Sequence, residues 1–322
     1  MISTRNKAAH HVEQMRGKRL FSCAKNSLIL LLFFSLLING KLYGQIQIES
    51  SCMTPSNYRD ENNNKIGGSG DFKDVRLGLQ IPVHVKMNEL NQPTAWAVAL
   101  KGTYASMNNT ELATDFCISQ LLNAELGVIH LRPLNEKWSL IASLGGGVYS
   151  DLSEFSANSM LAHAGVLFIR RMRPNLDLGF GVALNNAIGY PMIFPSFYFK
   201  WETGTRYEVK ISLYDDFRLT AGMKINDVLA LRLIAQARGM SAIVTRDNQS
   251  KIFTQQFSVI GLQPEIYVNK WLSIPVTAGV SVKRDAYFLD RKLISFYHTE
   301  ENYPNFATSF YVSAGLKFFF DE

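Results

Sequence analysis

The sequence predicts an all-β fold, an antiparallel up-and-down transmembrane β-barrel of about 14 strands, with about 12 as the alternative count. Three observations predict it. The first 44 residues read as an export leader, the rest of the chain alternates apolar and polar residues with period two, and the links between alternating runs are by turns short and long.

The leader comes first. Lys18, Arg19 and Lys25 precede an apolar run from Leu28 to Ile38, followed by Asn39, Gly40 and Lys41. A basic stretch, a short apolar stretch and a polar boundary make a secretory signal. The apolar run is well short of the roughly 20 residues a membrane-spanning helix needs. Cleavage is expected after Gly44, leaving Gln45 first, although Leu42 is larger than the ideal residue three places back. Met15 offers an alternative start that would leave residues 1–14 outside the leader. The expected organisation is therefore a leader over 1–44 and one barrel domain over 45–322.

Charge follows the same division. The chain has 33 basic and 27 acidic residues, a formal charge of +6. The leader holds seven of the basic ones (Arg5, Lys7, Arg16, Lys18, Arg19, Lys25, Lys41) against Glu13, which leaves 26 of each sign beyond it. The basic surplus belongs to the leader, so a nucleic-acid partner is excluded. Charged residues are only 19% of the chain, which suits a surface facing lipid.

The alternation is clearest from Val75 to Met87. Every odd position is apolar, and Arg76, Gly78, Gln80, Pro82, His84 and Lys86 fill the even ones. Strict period two means a strand with one apolar face. The pattern recurs from Trp96 to Tyr104, Phe116 to Val128, Trp138 to Val148, Leu178 to Leu184, Leu229 to Ala237, Ile260 to Val268 and Leu272 to Val282. The second face is small or polar, as a lumen would be, rather than rich in the Lys and Glu of a soluble sandwich. An exported soluble β protein is the competing fold.

Short turns are expected at Asn88–Pro93, Arg132–Lys137, Arg171–Asn175, Lys224–Asp227 and Asn269–Lys270. Longer links are expected at Pro55–Lys73, Met107–Asp115, Ser150–Asn158, Gly239–Lys251 and Lys283–Asn305. Short periplasmic turns and long extracellular loops fix the orientation. Gln45–Met53 supplies the first strand, and Tyr207–Leu213 with Phe217–Lys224 is the shortest pair. Trp96, Trp138, Trp201 and Trp271 fall near the short turns and would form one aromatic girdle. In the last strand Phe310, Val312, Leu316, Phe318 and Phe320 share a face, and they are expected to act as the signal read by the outer-membrane assembly machinery.

With these features in place, the chain resembles the uncharacterised outer-membrane β-barrel families of Bacteroidetes-type bacteria. The residues that carry the resemblance are Gln45 after the cleavage site, Leu-Gln-Ile-Pro-Val from Leu79, Arg-Asp-Ala-Tyr-Phe after Lys283 and the final Lys-Phe-Phe-Phe. It implies a location in the outer membrane and a barrel fold, and no activity.

The candidate lumen charges are Arg76, Lys86, Lys101, Glu125, Arg232 and Lys317. They would either favour anions or pair with one another and fill the interior. His84, His163 and Glu125 share the lumen as scattered polar groups rather than as a metal or catalytic cluster. No H-E-x-x-H, paired-Cys or nucleophile-elbow motif occurs, so no cofactor and no enzyme activity are expected, with a rim hydrolase as the remote alternative. Cys52 and Cys117 are expected as free thiols, a bridge between them being the less favoured case. Three roles stand: a pore or transporter for small solutes, a plugged structural or surface-interaction barrel, and a barrel enzyme. Gly145, Gly147, Gly179 and Gly181, facing inward, favour open space and so the first. The expected partners are outer-membrane lipids and the assembly machinery.

Overall fold

The computed structural model describes residues 44–153, 157–186, 191–204, 206–214, 216–246, 249–291 and 303–320. The expected leader lies outside the described residues up to position 43, while Gly44 and Gln45, which flank the expected cleavage bond, open the first strand.

The strands are β1 (Gly44–Arg59), β2 (Lys65–Met87), β3 (Pro93–Ser106), β4 (Gln120–Pro133), β5 (Trp138–Ser150), β6 (Met160–Arg173), β7 (Leu176–Asn185), β8 (Met192–Thr203), β9 (Tyr207–Leu213), β10 (Phe217–Lys224), β11 (Leu229–Arg246), β12 (Gln249–Asn269), β13 (Leu272–Asp290), β14 (Asn305–Phe306) and β15 (Ser309–Phe320). One five-residue helix, α1 (Leu112–Phe116), sits in the β3–β4 link. From β1 to β13 each strand pairs antiparallel with the next, β13 pairs with β15, and β15 returns to β1 from Gly44↔Phe320 to Met53↔Tyr311. The sheet is a closed 14-strand barrel, with two-residue β14 as an extra bridge between β1 and β13.

Period two places the predicted apolar residues outside. Leu144 is 68% exposed and Phe310 71%, with Val75, Leu77, Leu126, Phe180, Val182, Leu233, Leu262 and Val312 also on the outer surface. So continuous an apolar exterior is stable against lipid rather than water. Closure matters for the same reason, since a sheet edge in hydrocarbon would leave backbone groups unpaired.

Both ends of the described chain lie where the turns are short. Asparagine side chains hold those turns: Asn88 Oδ1 accepts from the N–H groups of Leu90 and Gln92, Asn135 Oδ1 from Lys137 and Trp138, Asn226 Oδ1 from Val228 and Leu229, and Asn269 Oδ1 from Trp271. An Asx turn replaces lost ladder bonds over few residues. We call this the turn end and the opposite rim the loop end.

At the loop end three expected links are instead strand. Most of Pro55–Lys73 belongs to β1 and β2, Gly239–Lys251 to β11 and β12, and Lys283–Asp290 to β13. Residues 292–302 of the Lys283–Asn305 link lie outside the described residues. β1 likewise runs beyond Met53 to Arg59.

Candidate functional site

The extended ends of β11, β12 and β13 define the lumen. Lower on β11, even residues such as Ile234 and Gln236 are buried while Leu233 is exposed. Above Ala237 the alternation stops: Met240, Ser241, Ala242 and Ile243 are all buried. So are Ile252, Phe253, Thr254 and Gln255 on β12, and Arg284, Asp285, Ala286 and Tyr287 on β13. Burial on both faces means these three strand ends form a layer with protein on each side.

One face of the layer carries Met240, Ala242, Phe253, Phe257, Val259 and Ala286. It packs against Met53, Tyr58, Phe72, Ala105, Leu121 and Phe306. Phe72 meets Phe257 at 5.1 Å between ring centroids, and Tyr58 meets Phe306 at 5.1 Å. Arg284, 2% exposed, is held inside this cluster. It donates to the carbonyls of Asp71 (2.6 Å) and Gly70 (2.7 Å) and lies 3.9 Å over the Phe306 ring. Two carbonyl acceptors and an aromatic face replace the water a guanidinium would lose.

The other face meets the opposite wall. Ile243 and Ile252 pack with Leu161, Met192 and Leu289. Asn123 on β4 donates from Nδ2 to the carbonyl of Ser241 (2.6 Å) and accepts its N–H at Oδ1 (3.2 Å). The loop end of the lumen is thus filled by a hydrophobic layer drawn from the barrel's own strands. Open space throughout, as the inward glycines suggested, is corrected there: large apolar side chains of β11–β13 take up the room.

Beneath the layer lies a cavity of about 320 Å³. Its walls carry both signs of charge: Arg76, Lys101 and Arg238 face Glu49, Glu125 and Asp216, with His163 among them. Arg238 stands between Glu49 (3.6 Å) and Asp216 (3.4 Å). Arg76 pairs with Asp74, which also accepts from Ser51. Tyr214, at the β9–β10 turn, points inward to bond Ser143 (2.7 Å), and its carbonyl accepts from Asn185 (2.6 Å). The buried Nδ1 of His163 and Nη1 of Arg76 have no hydrogen-bond partner among the described residues.

Toward the turn end, a second set of charges lines the wall from β9 to β15. Glu265 on β12 is its hub, paired with Arg232 and bonded to Lys317 (3.2 Å) and Ser273 (2.6 Å). Arg232 also reaches Glu208 (2.6 Å) and Tyr267 (2.9 Å). Its members come from neighbouring strands, so it coats one side of the lumen rather than crossing it.

The structure thus divides the sequence-predicted lumen charges. Arg76, Lys101 and Glu125 share the cavity, Arg232 and Lys317 share Glu265, and Lys86 stands exposed near the turn end. Asp74, Glu49, Asp216, Arg238 and Glu265 were missed, although Glu49 and Glu265 sit at polar positions of alternating runs. Trp96, Trp138, Trp201 and Trp271 all lie near the turn end, Trp96 stacked on His130 at 4.1 Å. Phe310, Val312, Leu316 and Phe320 are on the outer face of β15, and Phe318 is half-buried there. Cys117 is buried in the cluster and Cys52 is exposed, both free. Among the described residues, no group of three or more His, Cys, Asp or Glu could hold a metal ion.

Fold and lumen define a transmembrane β-barrel whose loop end is filled from within. The chain belongs to the family described as "Domain of unknown function (DUF6268)", whose match spans residues 40–319. No curated protein matches it. Among solved structures it is similar to an outer-membrane channel from Pseudomonas putida F1, at 9% identity over 86% of this chain and 95% of that one, with a TM-score of 0.44. It is also similar to a mutant of the TodX monoaromatic hydrocarbon channel of Pseudomonas putida (7% identity, 87% and 90% covered, TM-score 0.43). A third is the translocator domain of the autotransporter NalP from Neisseria meningitidis (12% identity, 92% and 95% covered, TM-score 0.37). At these scores nothing about solute or reaction passes from them to this chain.

Proposed function

We propose that this protein is an outer-membrane transporter for small solutes, exported behind the leader that ends at Gly44 and assembled through the outer face of β15. Its short turns would face the periplasm and its filled end the exterior, with the four tryptophans as the periplasmic girdle. The observation that carries the transport reading is the cavity of about 320 Å³ inside a closed barrel, lined by charges of both signs. A barrel that served only as a scaffold would gain by burying apolar side chains there, because charges held in a lumen cost desolvation.

One observation favours a second reading. The apolar layer at the loop end supports a plugged barrel that works through its outer surface. The two separate in proteoliposomes and planar bilayers. Transport predicts uptake of a small sugar or amino acid and discrete conductance steps. A plugged barrel predicts neither, and their absence in correctly folded, heat-modifiable protein would remove the transport reading. No reaction is proposed for the lumen.

A further inference from the structure

Two arginines on the walls of the lumen cavity keep buried N–H groups without a hydrogen-bond acceptor among the described residues: Arg76 at Nη1, and Arg238 at Nε and Nη1. Arg76 gives its Nη2 to Asp74 and leaves Nη1 unspent. Arg238 has carboxylates near it, but Glu49 at 3.6 Å and Asp216 at 3.4 Å are ion-pair contacts rather than aligned hydrogen bonds. The two guanidiniums meet at Glu49, which is the cross-strand partner of Arg76 and the ion-pair partner of Arg238. Glu49 is already engaged, accepting from Gln47 Nε2 (3.4 Å) and from the Tyr311 hydroxyl (3.3 Å).

A buried donor without an acceptor costs free energy, and a charged one costs most. Three such donors around one cavity call for an oxygen acceptor from outside the chain, and a carboxylate matches the fork of a guanidinium. There is room for it. A Cβ on Gly78, which is the cross-strand partner of Lys101, would have its nearest neighbour 4.0 Å away. The inward glycines of β5 differ: a Cβ on Gly145 would run into His163 Nε2, and one on Gly147 into Glu125 Cγ. Open space therefore lies beside Arg76 and Lys101, while side chains already occupy it beside β5.

Charge decides what else the solute carries. The cavity walls hold three cations, Arg76, Lys101 and Arg238, and three carboxylates, Glu49, Glu125 and Asp216. Asp74, paired with Arg76, adds a further acid behind them. A bare anion would bring uncompensated charge into a lumen surrounded by lipid, at a desolvation cost. A molecule that also carries an ammonium brings none. The volume of about 320 Å³ is at the small end of the roughly 300–1,000 Å³ of ligand pockets, which suits a free amino acid.

We propose that the cavity is a binding site for a zwitterionic amino acid, its carboxylate held by Arg76 and Arg238 and its ammonium facing Glu125 and Asp216. The site names the solute class of the transport reading and rests on that reading for its role.

The test dialyses the full-length, heat-modifiable protein in detergent to equilibrium against radiolabelled L-alanine. The site predicts saturable binding that L-serine displaces and glucose does not. L-Lactate lacks the ammonium and ethanolamine lacks the carboxylate, so each should compete at least about tenfold more weakly than L-serine. Arg238→Gln should weaken L-alanine binding by roughly 10- to 100-fold, the worth of one or two charge-assisted hydrogen bonds. The competition series needs no variant and decides the matter if Arg238→Gln does not fold. No saturable binding, competition by L-lactate equal to that by L-serine, or a folded Arg238→Gln that binds as the wild type does overturns the site. Uptake in proteoliposomes separates the two readings. Glucose uptake by protein that binds no L-alanine sinks the site alone, and L-alanine binding with uptake of neither solute sinks transport alone.

Discussion

Asn123 on β4 and Ser241 on β11 are 118 residues apart, and the Asn123 amide both donates to the Ser241 carbonyl and accepts its N–H. One side chain thereby takes the place of a strand partner where β11 leaves the wall. Asn123→Ala would leave both backbone groups unpaired, a cost of roughly 2–4 kcal/mol. We expect faster proteolysis at the β11–β12 hairpin and a lower temperature for the shift in electrophoretic mobility. Unchanged proteolysis would mean that apolar packing alone holds the layer.

Arg284 fixes the other face. Arg284→Met keeps the length but removes both donors to Gly70 and Asp71 and the contact with Phe306. A loss of roughly 2–4 kcal/mol is expected from two stranded carbonyls. Gly70→Ala should act on the same place, because a Cβ there would fall 2.7 Å from the Phe306 ring. Both variants should raise bilayer conductance if the layer limits passage, and equal conductance would exempt it.

Gly165 and Tyr214 are coupled by shape. A Cβ on Gly165 would lie 2.7 Å from the Tyr214 hydroxyl and 2.8 Å from its ring. Gly165→Val should destabilise by roughly 1–3 kcal/mol through overpacking and break the Ser143 bond. Tyr214→Ala should relieve most of that loss, which a double-mutant cycle of thermal unfolding would measure.

Glu265 balances Arg232 and Lys317. Glu265→Gln leaves two cations over one neighbouring carboxylate, Glu208, and breaking so buried a pair costs roughly 3 kcal/mol. The reversal potential in a salt gradient should move toward anion preference. No shift would show that permeating ions do not pass this wall.

Acid should loosen the β3–β4 link. Burial alone would push the Asp71 carboxyl up, but the Asn108 N–H (2.7 Å), the Asn108 amide (3.0 Å) and Lys73 (3.2 Å) outweigh it and hold it below its ordinary range. A depressed carboxylate contributes stability that is present above its unfolded value, about 3.9, and lost as pH falls through the folded one. An acid-active protease should therefore cut residues 108–116 faster at low pH than at neutral pH. In Asp71→Asn that difference should shrink.

The wall was legible because lipid imposes one rule on every strand: Val75, Leu77 and Leu79 must all be apolar, and Arg76 and Gly78 need not be. The layer was not legible because Ile252 and Phe253, or Ser241 and Ala242, are buried consecutively. A strand with protein on both faces has no alternation to show, and its Ser241 and Ala242 fell inside the expected Gly239–Lys251 link. Arg76, Lys101 and Glu125 could be assigned to the lumen from parity alone. Their meeting with Arg238 and Asp216 could not, since that depends on where β11 bends. The short β9–β10 pair was visible as a length, but what it borders required the neighbouring strands.

The seam between β1 and β15 joins the two ends of the described chain, Gly44 to Phe320. Contacts so distant in sequence form late, because chain entropy must be lost before they stabilise anything. The inward layer depends on the same event: its apolar face packs on Met53, Tyr58 and Phe72 from the first two strands, and its strands are among the last synthesised. Shutting the cylinder and filling its mouth are therefore one cooperative step in biogenesis, and a chain halted before its final strand would lack both.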